Sequence, residues 1–367
     1  MKKNILIGCD HYLPGFRAGG PVRSIAAIVN VLKNEATISI ITRNRDCGIK
    51  TPYENLSPNQ YGYPVFYFSI TQAIVGIFKL LKNHSFDIIY CNSFFSPVFT
   101  IYTLLLSRVV FRQKTKIIIA PRGELGSGAL IFNSPRKKIY LFLMRRFLEK
   151  NIVWHATSTE EENDIKKIIG VRANIFTLAN IALTDFPVSA IQNKKENELK
   201  IVFISRIIGK KNLEFALQVL AQVKGSIFFD IYGPIEEPAY WESCLLLIKN
   251  MPSNIVVNYK GALMPEVVAQ TIQHYDLFFL PTLNENYGHA IVEAFSAGCP
   301  VMVSSNTPWR NLADCNAGWD FDLKNPAEFT KKLEALIGLS AQQYEIYHKG
   351  ASEYFNQKIN DAGLIEK

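Results

Sequence analysis

Short apolar runs rich in branched residues alternate along this chain with stretches whose apolar residues recur every three or four positions. The runs mark strands and the stretches mark helices. In the first half the runs fall at 4–8, 37–42, 87–91, 116–120, 152–156 and 174–178. They are apolar almost throughout, not only at alternate positions. Strands of that kind are buried on both faces, which predicts a parallel sheet covered by helices on each side. A polar, charged stretch at 184–200, TDFPVSAIQNKKENELK, interrupts the alternation. It resumes at 200–205, 226–232, 254–259, 277–280 and 301–304, and residues 341–367 read as a closing helix. The pattern predicts two doubly wound, Rossmann-like α/β domains at 1–185 and 200–340, with a linker at 186–199. Ligands of such sheets bind beyond the carboxyl ends of the strands, so the expected site is the cleft between the domains. Residues 93–111 are apolar, but Pro97 and Arg108 interrupt them and they follow a strand. A buried helix is expected there, not a membrane span.

Length and composition agree with two cores: 367 residues, 48% of them hydrophobic. The opening MKKNILIGCD holds two lysines and only a short apolar run, which reads as a first buried strand and not as an export signal. A cytoplasmic protein is expected, with the six scattered cysteines as reduced thiols. The net charge of +8 is matched by ordinary surface lysines or by a functional basic face. Arg136, Lys137, Lys138, Arg145 and Arg146 flank the apolar, aromatic run 139–144. Such a helix either rests on the anionic inner face of a membrane or packs with a charged rim. No nucleic-acid motif accompanies the charge, so no nucleic-acid partner is expected.

The chemistry concentrates in PTLNENYGHAIVEAFSAGCP, residues 281–300. An apolar strand precedes Pro281, and Ala290, Ile291, Ala294 and Phe295 follow at helical spacing. A helix N-terminus presents unpaired N–H groups and the positive end of a dipole, so the mouth formed by Asn286, Tyr287, Gly288, His289 and Ala290 suits a phosphate. Glu285 lies at that mouth and Glu293 eight residues on, about two turns if helical throughout, which sets both toward one ligand. Phosphate binding beside carboxylates is what a nucleotide-sugar requires. Arg206 and Lys211, after the first strand of the second half, are two cations able to neutralise a diphosphate. Gly19 and Gly20 precede a helical run at 22–32. They make either a tight turn or a loop lying against donor or acceptor, and no G-x-G-x-x-G dinucleotide fingerprint is present. Asp320-Phe321-Asp322 has the form of a metal-binding pair but comes late in the chain and reads as a polar loop.

The ordered set HYLPGFRAGGPVRS, NSFFSP, APRGELGSGAL, HATSTEEE, SRIIGKKNLEFAL, the Glu285–Glu293 motif with Ala-Gly-Cys-Pro-Val, and SSNTPWRNL resembles the retaining glycosyltransferases of family 4, which have the GT-B fold. The resemblance spans nearly the whole chain. It implies a hexosyltransferase that takes UDP- or GDP-sugar, with no metal and no other cofactor. It also implies that Glu285 binds the donor sugar, Glu293 the ribose, and Arg206 and Lys211 the pyrophosphate. Gly19, Gly20, Gly233, Gly261, Asn286, Tyr287, Gly288, His289 and Ala290 complete the donor side. Asn212 stands where the family commonly has glycine, and asparagine tolerates the same left-handed backbone. On the acceptor side the expected groups are Arg122, Asn92, Glu124 and His155. Arg122 stands near where many relatives have histidine, and His155 is either a participant or a hydrogen-bonded histidine at the core edge. The implied acceptor is a saccharide, lipid-linked in surface-polysaccharide synthesis, and the closing helix is expected to cross back to the first domain. An epimerase of the same fold and a non-catalytic sugar-nucleotide-binding subunit are the alternatives.

Overall fold

The computed structural model describes residues 2–112, 114–126, 152–178 and 194–361, with 359–361 described by backbone alone. The chain divides into two compact units, Met1–Ile181 and Ala182–Lys367. The basic segment 136–146 and most of the expected linker lie outside the described residues.

The first unit holds a seven-stranded sheet in the order β3-β2-β1-β4-β5-β6-β7, every neighbouring pair parallel. Its strands are β1 Lys3–Gly8, β2 Ala36–Arg43, β3 Val65–Phe68, β4 Ile88–Cys91, β5 Lys116–Ile119, β6 Ile152–Ala156 and β7 Asn174–Thr177. The second unit holds β8 Glu198–Ile204, β9 Ser226–Tyr232, β10 Ile255–Tyr259, β11 Leu277–Leu280, β12 Val301–Ser304 and β13 Gly318–Phe321. Their order is β10-β9-β8-β11-β12-β13, again all parallel. The fully apolar runs occupy the middle: all four residues of β11 and all four of β12 are buried. Burial on both faces removes the alternation that an exposed sheet face would impose.

Each sheet has one point where the strand order reverses, between β1 and β4 and between β8 and β11. Loops leaving adjacent strands at such a point diverge and open a crevice at their carboxyl ends.

Three expectations are corrected, and the closing helix begins where it was expected. The strand expected to begin at 200 begins at Glu198, because Leu199 is buried in the second core and Glu198 already pairs with Ser226. Edge strands β3 and β13 were not expected, and β13 places Asp320 on a strand and not in a loop. The helix expected over 93–111 covers 97–110, with wide turns in which Ile101 N donates to Ser96 O at 3.0 Å and Phe111 N to Leu106 O at 2.8 Å. One flank is buried, but Leu105, Val109 and Val110 are exposed. The closing helix runs Ala341–Asp361, and its Tyr344, Ala351 and Tyr354 join the core of the second unit. Among the described residues no helix is long and apolar enough to cross a membrane.

Candidate active site

In the second unit the loops after β8 and β11, the two strands at the reversal point, are stitched together. Leu283 N and Thr282 Oγ1 both donate to Lys210 O, at 2.9 and 3.1 Å. Asn212 Nδ2 donates to Pro281 O at 3.0 Å. Asn212 itself adopts φ 61°, ψ 42°, a left-handed geometry that asparagine tolerates. This frame fixes Lys211 so that Nζ donates to Glu285 Oε2. Burial works against the ionised form of Glu285. The ammonium of Lys211, with Lys210 and Arg206 beyond it, outweighs burial and holds the carboxyl below its ordinary value. Burial and the neighbouring Lys211 push Lys210 the other way, toward losing its proton. Lys211 and Glu285 at the mouth are thus held as a fixed charge pair.

Gly288 begins the helix His289–Ser296 in left-handed geometry, φ 78°. A Cβ there would come within 2.7 Å of Ile291 Cδ1 and 3.1 Å of Glu285 Cγ. Glycine therefore both starts the helix and lets the Glu285 loop lie against its first turn. No side chain caps this end, so its dipole faces the Lys211–Glu285 pair without a capping carboxylate or hydroxyl in between. Asn286 Nδ2 is screened from solvent and has no hydrogen-bond partner among the described residues, an orphan donor that a ligand oxygen would satisfy. Tyr287 is held by Trp309, whose Nε1 donates to Tyr287 O and whose ring lies 5.7 Å from that of Tyr287. His289 packs its ring edge-on against Tyr287 at 4.9 Å. Residues 286–288 are not helical, so Glu293 lies little more than one turn into the helix, not two turns beyond Glu285. Its side chain is buried.

Arg206 leaves β8 and pairs with Glu236 at 3.0 Å, both partly exposed. Gly233 N donates to Gly261 O at 2.8 Å, and Tyr259 OH donates to Gly233 O at 2.8 Å. A Cβ on Gly233 would lie 1.7 Å from Ser205 O. The exits of β8, β9 and β10 are therefore drawn together beside Arg206. Asp320 is engaged elsewhere, with Arg310 Nε at 3.0 Å and Leu312 N at 3.0 Å.

In the first unit Gly19, φ 69°, opens the helix Gly20–Leu32 after β1. Asn92, just past β4 across the reversal point, donates through Nδ2 to Pro21 O at 3.2 Å. Its Oδ1 accepts from Arg122 Nε at 2.7 Å, and Arg122 Nη2 donates to Tyr90 OH at 2.9 Å. Tyr90 OH lies 2.8 Å from His155 Nδ1, and His155 Nε2 lies 2.9 Å from Leu178 O. A carbonyl only accepts, so Nε2 carries the proton and Tyr90 donates to Nδ1. Burial first, then Arg122, pushes His155 down to about 4. His155 is thus a neutral, buried ring with both nitrogens bonded inside the protein. Glu124 is turned inward: its carboxylate accepts from Ser93 Oγ at 2.8 Å, Phe94 N at 2.6 Å and Phe95 N at 3.1 Å. Burial nonetheless raises it above the ordinary carboxylate range. Its position is that of a clamp on the NSFFSP loop.

Tyr90, Glu161, Glu236 and Trp309 were not singled out from sequence. Glu161 holds Gly123 N at 2.6 Å and Thr157 N at 2.7 Å. A buried tyrosine in an apolar strand gives no signal in one sequence, whereas Glu161 and Trp309 lie within HATSTEEE and SSNTPWRNL.

Residues 187–352 match the family described as glycosyl transferases group 1. A search of curated proteins finds no match to this chain. Solved structures share the fold over nearly its whole length. Anabaena HepE in complex with UDP-glucose is 16% identical, covers 99% of each chain and has a TM-score of 0.69. WaaG, a glycosyltransferase involved in lipopolysaccharide biosynthesis, is 15% identical over 99% of each chain, TM-score 0.69. The lipopolysaccharide outer core galactosyltransferase WaaB is 17% identical over 100% of each chain, TM-score 0.63. The fold is GT-B. At these identities the structural likeness carries the fold, and the family match on the second unit supports glycosyltransferase activity.

Proposed function

We propose that this protein transfers a sugar from a nucleoside diphosphate, uridine or guanosine, to a saccharide acceptor with retention of configuration. The observation that carries the reading is the Lys211–Glu285 pair set against the uncapped helix at Gly288. Lys211, Arg206 and the helix amides would stabilise charge as it develops on the departing diphosphate, and fixed groups aimed at developing charge supply most of the rate enhancement in many enzymes. Such stabilisation needs no metal. Glu285, held ionised, would accept hydrogen bonds from donor sugar hydroxyls. Its bond to Lys211 weakens it as a nucleophile, which favours attack from the same face as the leaving group. In that course the carbon–oxygen bond to phosphate breaks, the acceptor oxygen bonds to carbon, and the acceptor proton passes to a donor phosphate oxygen. HepE is seen with UDP-glucose, which supports a nucleotide-sugar donor by likeness of fold. A lipid-linked acceptor in surface-polysaccharide synthesis is the finer reading.

Turnover of UDP- and GDP-sugars with excess EDTA, in wild type and Glu285→Gln, tests this. The variant is expected to melt cooperatively yet lose on the order of a hundredfold or more in turnover, and the wild type to keep its activity with EDTA. Glu285→Gln at wild-type turnover would overturn the site, and donor interconversion without transfer would favour an epimerase.

A further inference from the structure

One flank of the first unit carries apolar surface that the sugar-transfer reading does not use. Helix Ile70–Asn83 buries Ala73, Ile77 and Leu81. Ile70, Ile74 and Phe78 recur at the same four-residue step yet are exposed, as is Val75. Ile74 and Phe78 each follow a core position by one residue, so the apolar arc runs about 100° past the core contact and out into solvent. The helical residues 97–110 lie alongside: Tyr102 OH donates to Ile74 O at 3.0 Å, and the Phe78 and Phe111 rings sit 5.2 Å apart. They add Leu105, Val109 and Val110 to the exposed apolar set. Val75, Val109 and Val110 are 56%, 59% and 55% exposed. Neighbouring apolar residues on two touching helices make a patch, not scattered singles.

Charge selects the partner. Between Glu54 and Glu124 the sole carboxylate is Asp87, while Lys79, Lys82, Arg108, Arg112, Lys114, Lys116 and Arg122 are basic. Asp87 is engaged with Asn4 N at 2.8 Å. Lys79 and Lys82 rise from the first helix, and Arg112 and Lys114 follow the second; all four are exposed. Apolar side chains rimmed by cations, with no acid on either helix, match the two layers of an anionic bilayer: acyl chains beneath, phosphates above.

We propose that the flank formed by helix Ile70–Asn83, residues 97–112 and Lys114 docks the protein onto an anionic lipid surface. This does not rest on the reading of the donor site.

The test is sedimentation with phosphatidylcholine vesicles, with and without phosphatidylglycerol, across a salt series. Two variants are compared, one replacing Lys79, Lys82, Arg112 and Lys114 with glutamine, the other replacing Ile74, Val75, Val109 and Val110 with serine. All eight positions are exposed, so both variants are expected to fold, checked by circular dichroism, and to bind UDP or GDP as the wild type does. Wild type is expected to sediment only with phosphatidylglycerol and less as salt rises. The charge variant is expected to lose on the order of a hundredfold or more in partitioning, and the serine variant to lose binding even at low salt. Three outcomes would overturn the proposal: no sedimentation of wild type, equal sedimentation with neutral lipid, or variants that bind as well as wild type. The last would move attachment to another part of the chain, and a concentration-dependent dimer lost in the serine variant would assign the face to a second copy.

Discussion

Lys211 and Arg206 carry the same charge into the same site by different physics. Lys211 is largely buried against Glu285, whereas Arg206 is more than a third exposed against Glu236. In the proposed site, replacing Arg206 with alanine would remove one charge-assisted contact to a diphosphate, worth about 1.5–3 kcal/mol, and leave an exposed glutamate that water can serve. Affinity for UDP or GDP is expected to fall roughly tenfold to a hundredfold, with melting unchanged. Lys211→Met also strips Glu285 of the partner that keeps it ionised. Because Glu285 sits below its ordinary value in the fold, it contributes stability above the ordinary glutamate range that is lost as pH falls through its folded value. In Lys211→Met the stability is expected to be lower at neutral pH and the acid limb shallower. Calorimetry with the diphosphates and urea melts across pH measure both. Unchanged affinity in both variants would move the phosphate site elsewhere. These residues were legible in sequence because charge at a strand exit is rare without a reason. Glu236 was not, since its role follows only from the exits of β8 and β9 being drawn together by Gly233.

At the level of elements, every central strand was legible, but two of the four edge strands, β3 and β13, were not. β11 and β12 announce themselves by four successive buried residues, nearly all apolar. β3 buries only Val65 fully, and β13 mixes glycine, tryptophan and aspartate. An edge strand is half solvated, so its composition drifts toward that of a loop. The helix at His289 was legible from its periodicity, but its first turn was not, because Gly288 ends the loop in left-handed geometry only once Glu285 and Ile291 close around it. Gly288→Ala should therefore cost more than an ordinary helix substitution. Left-handed backbone costs a residue with a Cβ ~1–2 kcal/mol, and the new methyl group meets Ile291 and Glu285. The expected result is a lower melting temperature together with weaker UDP or GDP binding, read by thermal denaturation and calorimetry. A variant with wild-type affinity would show that the helix mouth does not touch the phosphates.

At the scale of the whole molecule, each of the two compact units has its own core residues. The large core of the second unit draws every residue from 199 onward, and the two clusters of the first unit draw no buried residue beyond 169. The second unit also closes itself. Lys194 Nζ donates to the carbonyls of Lys195, Ile337 and Leu339, and Tyr344 OH donates to Asp276 O at 2.9 Å. The helix Ala341–Asp361 is thereby fastened to the sheet that carries Lys211, Glu285 and Gly288, whatever its further residues do. Domain count and the reversal of strand order were legible because each half repeats the same alternation. Tyr344, which fastens the closing helix, was not, because a polar group that anchors a helix looks in one sequence like any exposed one. Residues 182–367 expressed alone are therefore expected to melt as a single cooperative unit and to bind UDP or GDP no more than about tenfold more weakly than the full chain, a difference of ~1.4 kcal/mol. They are expected to transfer no sugar, since Asn92 and Arg122 are absent. A fragment that folds but does not bind nucleotide would place essential donor contacts in the first unit, around Gly19 and Gly20.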